Sequence, residues 1–312
     1  MREYTTTNTN PLIDVSHPVW RWEIPLYLFL GGLVAGMMII SGYLLLSGRW
    51  RNRRCSCYFL PILSLVFMSA GMLALFLDLG HKLYVWRLYL TFEVTSPMSW
   101  GSWILILVYP ALIANVLLAL PTAVRERSPY LAGLSDRMLA RPSVLRSIAA
   151  VNIAMGIMLG IYTGILLSAL GARPLWSSGL LGPLFLVSGI STAAAFVDLV
   201  AKERAERELA SRADIGFLIT ELVFIILFLI GLVNASGVHR EAADMLLGGP
   251  FTAEFWVLVV GLGLLVPTVI QSLAAARKIR HTAVAPLLVL AGGLLFRFVI
   301  VMAGQLTHWT PT

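Results

Sequence analysis

Charge is scarce in this chain. Asp, Glu, Lys and Arg together make up 12% of its 312 residues, about half the share usual in a soluble globular domain. Cysteine is rarer still: the two present, Cys55 and Cys57, stand one residue apart. That spacing excludes a C-x-x-C redox pair, and two thiols supply neither a four-cysteine iron–sulfur or zinc set nor a disulfide framework. The five histidines, His17, His81, His239, His281 and His308, all lie away from the middle of any apolar run. The facing axial pair that a membrane b-type haem needs is therefore missing, and no C-x-x-C-H motif occurs.

Apolar residues fill the space that charge leaves. Hydrophobic residues reach 58% and the mean hydropathy is +0.84. Crossing a hydrocarbon core of roughly 30 Å takes about 20 mostly apolar residues in a helix. Eight runs qualify: residues 25–47, 57–80, 100–124, 144–170, 177–200, 213–234, 254–274 and 284–305. Lipid cannot satisfy backbone N–H and C=O groups, so such runs must be helices or a closed barrel, and no alternating barrel pattern is present. The expectation is an all-α integral membrane protein with eight transmembrane helices. Residues 1–24 are polar, and the run after them is too long for the core of a secretory signal, so the first run reads as a retained span.

The basic residues set an orientation. Sixteen of the 23 Lys and Arg fall in the loops after runs one, three, five and seven, which the positive-inside rule assigns to the cytoplasm. Both termini and residues 77–103 then face the outer, periplasmic side. The net charge of +7 reflects this bias and not a nucleic-acid surface, because no basic stripe interleaved with aromatics lies on a soluble element. Eight of the nine tryptophans, all but Trp50, also fall on the outer side. An interfacial belt alone would occupy both faces, so the split leaves open a belt or a belt that also docks a partner.

Ionisable groups at membrane depth are costly and point to function. Glu221 lies in the sixth run and Arg297 near the middle of the eighth. They read equally as a structural pair or as part of a proton relay. Asp198, at the inner end of the fifth run, reads as a snorkelling boundary residue. Residues 77–103, LDLGHKLYVWRLYLTFEVTSPMSWGSW, are too polar and aromatic for a simple connector. Within them Asp78 and His81 stand three apart, which on a helix places them on one face. Histidine titrates near neutrality and a neighbouring carboxylate can orient it, which suits proton-coupled chemistry, although a solvated helix end has the same spacing. Tyr162 lies in the fourth run at similar depth, where its phenol serves either a polar ligand or a neighbouring helix. The Gly31/Gly32/Gly36 and Gly156/Gly160/Gly164 stripes read as close helix packing.

Four patches together resemble one known family, the NrfD-like or polysulfide-reductase membrane subunits. They are WRWEIPLYLFLGGLVAGMMIISG (20–42), residues 77–103, GIYTGILLSALGARPLWSSGLLGPLFLVSGISTAAA (160–195) and GGLLFRFVIVMAGQ (292–305). The resemblance implies a cofactor-free anchor of two four-helix bundles, here residues 25–170 and 171–305, between an outer N-terminal segment (1–24) and an outer tail (306–312). It implies exchange of electrons between quinone, most simply menaquinone, and a four-cluster iron–sulfur subunit on the outer face. Beyond that subunit the family carries a catalytic molybdopterin or multihaem protein, in a bacterial or archaeal cytoplasmic membrane. The implied quinone site lies near the outer face of the first bundle. Its candidates are His81, Tyr162 and Asp78, joined from just before the first span by His17 and Glu23, with Arg87 and Ser96 shaping an outer cap. Glu221 and Arg297 are candidates for a proton path. Eight spans, against ten in the longer members, match the smaller nitrite- and polysulfide-reductase type. Two other readings stay open on the residues alone: a secondary transporter, and a passive anchor without a quinone site.

Overall fold

The computed structural model describes residues 20–48, 59–169, 171 and 173–309. His17 and both cysteines lie outside the described residues. Twelve α-helices follow in order: α1 (Glu23–Leu46), α2 (Leu60–Asp78), α3 (Arg87–Leu90), α4 (Pro97–Leu118), α5 (Thr122–Arg127), α6 (Pro129–Leu139), α7 (Pro142–Ser168), α8 (Leu181–Val200), α9 (Arg204–Ala235), α10 (Gly237–Leu247), α11 (Val266–Ala275) and α12 (Val284–Gln305). Among the described residues eight helices are long and apolar enough to span a membrane: α1, α2, α4, α7, α8, α9, α12 and the continuous segment Glu254–Ala275. Each coincides with one of the eight apolar runs, as expected from the need to close backbone hydrogen bonds within the segment.

Two departures have local causes. The sixth span begins at Arg204, well before its apolar run, so charged residues read as loop form the first turns of α9. Glu254–Leu265 is π-helical and passes into α11 just before Pro267. Proline removes an N–H donor and clashes with the preceding turn, and a wider turn ahead of it relieves that conflict.

Helix α1 packs against α2, α7, α8 and α12, and α4 completes a group with α2 and α7. Helices α8, α9, α11 and α12, with the π-helical segment, form the second group. Between helices in lipid the hydrophobic effect supplies no drive, so close approach and hydrogen bonds must hold the bundle. Both glycine stripes serve this purpose. A Cβ at Gly36 would press on the Gly189 carbonyl and Ala193, and one at Gly156 would press on the Ala35 carbonyl. Gly189 in turn lies against the Gly32 backbone, and Gly164 against the Leu181 backbone. Three buried polar side chains tie the first group: Asn115 Nδ2 donates to Ser41 Oγ at 2.9 Å and to Asn152 Oδ1 at 3.4 Å.

At the opposite end of the bundle Trp176 is only 3% exposed. It stacks on Trp20 with centroids 5.3 Å apart and donates to the Ile300 carbonyl at 2.9 Å. Gln305 brackets Trp20, accepting from its N–H at 2.8 Å and donating to its carbonyl at 2.9 Å. Trp176 thus belongs to the core and not to an interfacial belt, which leaves Trp22, Trp86, Trp100, Trp103, Trp256 and Trp309 exposed.

The α1–α8 contact is backbone on backbone, so it has no side chain that can yield. Gly189→Val is expected to cost about 1–3 kcal/mol or more through overpacking and to lower the thermal midpoint in detergent. Gly216→Ala, where a Cβ meets nothing within 4 Å, should leave the midpoint unchanged or slightly raised, since alanine is the better helix former.

Candidate functional site

Two polar constellations lie within the helices. The first occupies the aromatic end of the first group, where α1 begins, α2 ends and α4 begins. Glu23 opens α1, and its carboxylate sits in the first turn, where the helix dipole favours negative charge. Among the described residues its Oε2 is buried and has no hydrogen-bond partner. Asp78 is the last residue of α2, half-buried, and close enough to Glu23 for their charges to interact. Tyr162, 5% exposed on α7, brings its phenol against Gly101 near the start of α4, where no Cβ would fit. One turn into α1, Tyr27 is 2% exposed and within electrostatic reach of Tyr162 and of Tyr89 on α3. Burial first, and then neighbouring Tyr109, push the Tyr89 phenol above its ordinary value, so it stays a donor at neutral pH.

His81 stands apart from this group. Helix α2 ends at Asp78, Leu79 is extended (φ −65°, ψ 121°), and His81 starts a 3₁₀ turn over Lys82–Tyr84. The shared helical face expected of Asp78 and His81 therefore does not exist. The chain leaves the helix at the extended Leu79, two residues before His81. No hydrogen bond or ion pair joins the two side chains among the described residues. His81 is exposed and meets Tyr84 edge-on, centroids 6.5 Å apart. Arg87 lies over the rings of Tyr84 and Trp86 at 4.7 and 5.5 Å. Ser96 is the N-cap of α4, and its carbonyl accepts from Ser99 and Trp100. The connector is pinned onto α4 by Ser102 Oγ donating to the Leu88 carbonyl at 2.8 Å and Trp100 Nε1 to the Val94 carbonyl at 2.7 Å.

The second constellation is a polar column through α8, α9, α11 and α12. Arg297 is 1% exposed. Its Nη2 donates to the Phe185 carbonyl at 3.1 Å, and its Nη1 donates to the Gly293 carbonyl at 3.1 Å and to Ser188 Oγ. The rings of Phe185 and Phe296 lie 4.9 and 5.5 Å from the guanidinium. Glu221 lies beside Ser188, and its charge and that of Arg297 are close enough to interact. Two turns along α9, about 10 Å by helical rise, Asp214 is fully buried. It accepts from Ser191 Oγ at 2.6 Å and from Gln271 Nε2 at 2.7 Å. Asp198 ends the column. At 4% exposed it does not snorkel: α9 and the His281 ring cover it, with His281 Nδ1 3.8 Å away.

Asp214 was not among the residues singled out in the sequence. Its signal is there, in the seven-residue spacing to Glu221 that puts both acids on one face of α9. Tyr27, at the heart of the first constellation, carries no comparable mark. Among the described residues no group of three or more His, Cys, Asp or Glu could hold a metal ion.

A helical membrane protein with eight spans, an acid- and phenol-lined end and a buried polar column is the class that fold and site define. The comparisons place it more narrowly. The family model described as polysulphide reductase, NrfD, matches residues 7–308, and the chain belongs to that family. It is 30% identical over 307 residues to a polysulfide reductase component of Wolinella succinogenes, covering 92% of this chain and 94% of that one. It is also 30% identical over 310 residues to protein NrfD of Escherichia coli, covering 93% and 96%. A selenate reductase component of Mesobacillus selenatarsenatis is 23% identical over 298 residues, covering 85% and 69%.

Asp214 accepts two buried hydrogen bonds, from Ser191 and Gln271. Asp214→Leu should therefore destabilise by about 2 kcal/mol or more, since it strands the Ser191 hydroxyl and the Gln271 amide in a dry interior. Asp214→Asn should cost less. Gln271 Oε1 is buried without a partner and can accept from the new amide once the glutamine turns over. Denaturant or thermal unfolding of the two variants in the same detergent gives the comparison.

Proposed function

We propose that this chain is the quinone-reactive membrane subunit of a respiratory reductase complex. In this reading it oxidises quinol at the aromatic end of the first helix group and passes electrons to an iron–sulfur subunit seated on that end. The names of its relatives support membership of such a complex, since they designate individual components of a polysulfide reductase and of a selenate reductase. The single observation that carries the site is Glu23. Among the described residues its Oε2 is buried without a partner, and such an atom costs free energy unless a polar group or ligand satisfies it.

Quinol oxidation releases two electrons and two protons, so the site needs donors for the oxygens and acceptors for the protons. Tyr162 donates to a headgroup oxygen, fixed in direction by its seat against Gly101. Glu23 accepts the hydrogen bond of a quinol hydroxyl and then its proton, and takes the second proton in turn once the first has moved on. Asp78, within electrostatic reach of Glu23, takes the proton onward, because two adjacent carboxylates do not both keep a negative charge readily. His81, exposed at the rim, hands it to solvent. Arg87 and Ser96 cap the site, and His17, just before the first span, is close enough in sequence to join it. Menaquinol suits the reading as well as any quinol.

The same reading assigns the exposed tryptophans of that end to the docking of an iron–sulfur partner, with a molybdopterin or multihaem catalytic subunit beyond. The basic loops then face the cytoplasm of a bacterial or archaeal cell and the docking end faces outward. The column Asp198–Asp214–Glu221–Ser188–Arg297 is the route by which protons enter from the basic end. Its support is the succession of buried acids on two helices, each bonded to a polar neighbour or near one.

Tyr162→Phe and Gly101→Ala should each lower quinol-dependent reduction of the partner about tenfold, roughly 1.4 kcal/mol of barrier. The first removes the donor, and the second adds a methyl where the phenol lies. Both should leave the complex assembled and its activity with an artificial dye donor intact. Full quinol activity in both variants would falsify the assignment of the site.

A further inference from the structure

A cavity opens at the basic end of the molecule, away from the acid- and phenol-lined end, between the start of α9, the end of α11 and the segment that follows it. Its volume is about 680 Å³. Besides Arg204, six cationic side chains line it: Lys202, Arg207, Arg212, Arg277, Lys278 and Arg280. The carboxylate in its wall, Glu208, is engaged by Arg204 four residues earlier at 2.9 Å. Like charges gathered around one space repel, and no burial of theirs offsets it, so an anion is the natural counterpart.

Two features go beyond a basic surface. Ser211 lines the cavity and is 2% exposed, and its hydroxyl has no hydrogen-bond partner among the described residues. A buried donor left unmet is rare and calls for a ligand or an ordered molecule beside it. Arg277, with φ 58°, is the one non-glycine residue at positive φ among the described residues. It closes α11 in a Schellman arrangement, with Arg277 N bonded to the Ala274 carbonyl at 3.0 Å and Lys278 N to the Leu273 carbonyl at 2.9 Å. Glycine is the ordinary occupant of that position because any Cβ is strained there. Arginine in its place accepts the strain and turns a guanidinium into the cavity wall, and strain of this kind marks functional positions.

We propose that this cavity binds a phosphate-bearing anion, and that the headgroup of an anionic phospholipid fills it. Guanidinium groups match phosphate oxygens in pairs, and Ser211 adds a short neutral donor. Ala274, Ala275 and Ile279 give the cavity an apolar wall, which suits the glycerol and first methylenes of a lipid better than it suits a free ion. Basic pockets between helices at this end of a membrane protein are a usual seat for such headgroups.

The test uses the full-length protein with its co-purifying subunits, delipidated and placed in phosphatidylcholine nanodiscs doped with cardiolipin or phosphatidylglycerol. Retained lipid is read by native mass spectrometry, with inorganic phosphate and pyrophosphate as competitors. The expected result is retention of the anionic lipid over phosphatidylcholine, weakened about fivefold for each cation removed and also weakened in Ser211→Ala. Arg277→Gly is the telling variant, because it relieves the positive φ. It should lose lipid while its thermal midpoint stays level or rises, so instability cannot account for the loss. Binding of phosphate or pyrophosphate to the wild type but not to Arg277→Gly, without lipid retention, would identify a free phosphate as the occupant of the same site. Retention of anionic lipid equal in wild type, Arg277→Gly and Ser211→Ala, with no phosphate binding, would overturn the proposal.

Discussion

One guanidinium, buried where the two helix groups meet, constrains the rest of the structure. Arg297 on α12 is 1% exposed, in a region where an isolated charge is costly. Its donors reach the Phe185 and Gly293 carbonyls and Ser188, and Glu221 of α9 lies within electrostatic reach. Those partners sit on α8, α9 and α12, so the three helices can settle in only one axial register. The guanidinium also needs room, and glycine provides it. A Cβ on Gly32 would come within 3.3 Å of Nη2, and one on Gly293 within 3.8 Å of Nη1. The α1–α8 approach through Gly32, Gly36 and Gly189 is therefore packed around a charge as well as backbone on backbone. Removing one partner of such a buried arrangement usually costs more than the arrangement itself contributes.

From that junction the molecule differs towards its two ends. One end carries carboxyls and phenols half-sheltered under an aromatic cap, with Glu23 and Asp78 at helix termini and Tyr27 and Tyr162 inside. The other carries arginine and lysine around an open cavity, with Asp198 and His281 beneath. The polar column runs between the basic end and the buried arginine. In the proposed reading, chemistry with a lipid-soluble substrate occupies the first end, and proton entry with lipid contact occupies the second.

The eight spans were legible in the sequence because lipid leaves the backbone no alternative to a helix, so length and apolarity suffice. The glycine stripes were legible for a related reason: without a hydrophobic drive, helices meet where side chains are small. What escaped was non-local or lay at helix ends. Asp78 and His81 have helical spacing, yet α2 stops at Asp78, and nothing in the periodicity marks that stop except Gly80. Asp198 resembles a boundary residue by position, but α9 begins at Arg204 and rises beside it, and His281 closes over it. Trp176 resembles an interfacial tryptophan until Trp20 and the Ile300 carbonyl, both remote in sequence, enclose it. Asp214 is buried through Ser191 and Gln271 on other helices, so its depth could not be read from its own run. The family resemblance was visible in four short patches, whose order and spacing already carried what the match over residues 7–308 makes plain.

The central claim is the seat of the quinol at the aromatic end of the first helix group. A photoreactive menaquinone analogue, illuminated with the intact complex in membranes and mapped by peptide mass spectrometry, tests it most directly. The account predicts adducts on the start of α1, the end of α2 and the first turns of α4, lost when excess menaquinone competes. Competed adducts confined to the basic end, or to the lipid-facing sides of α9 and α11, would contradict it.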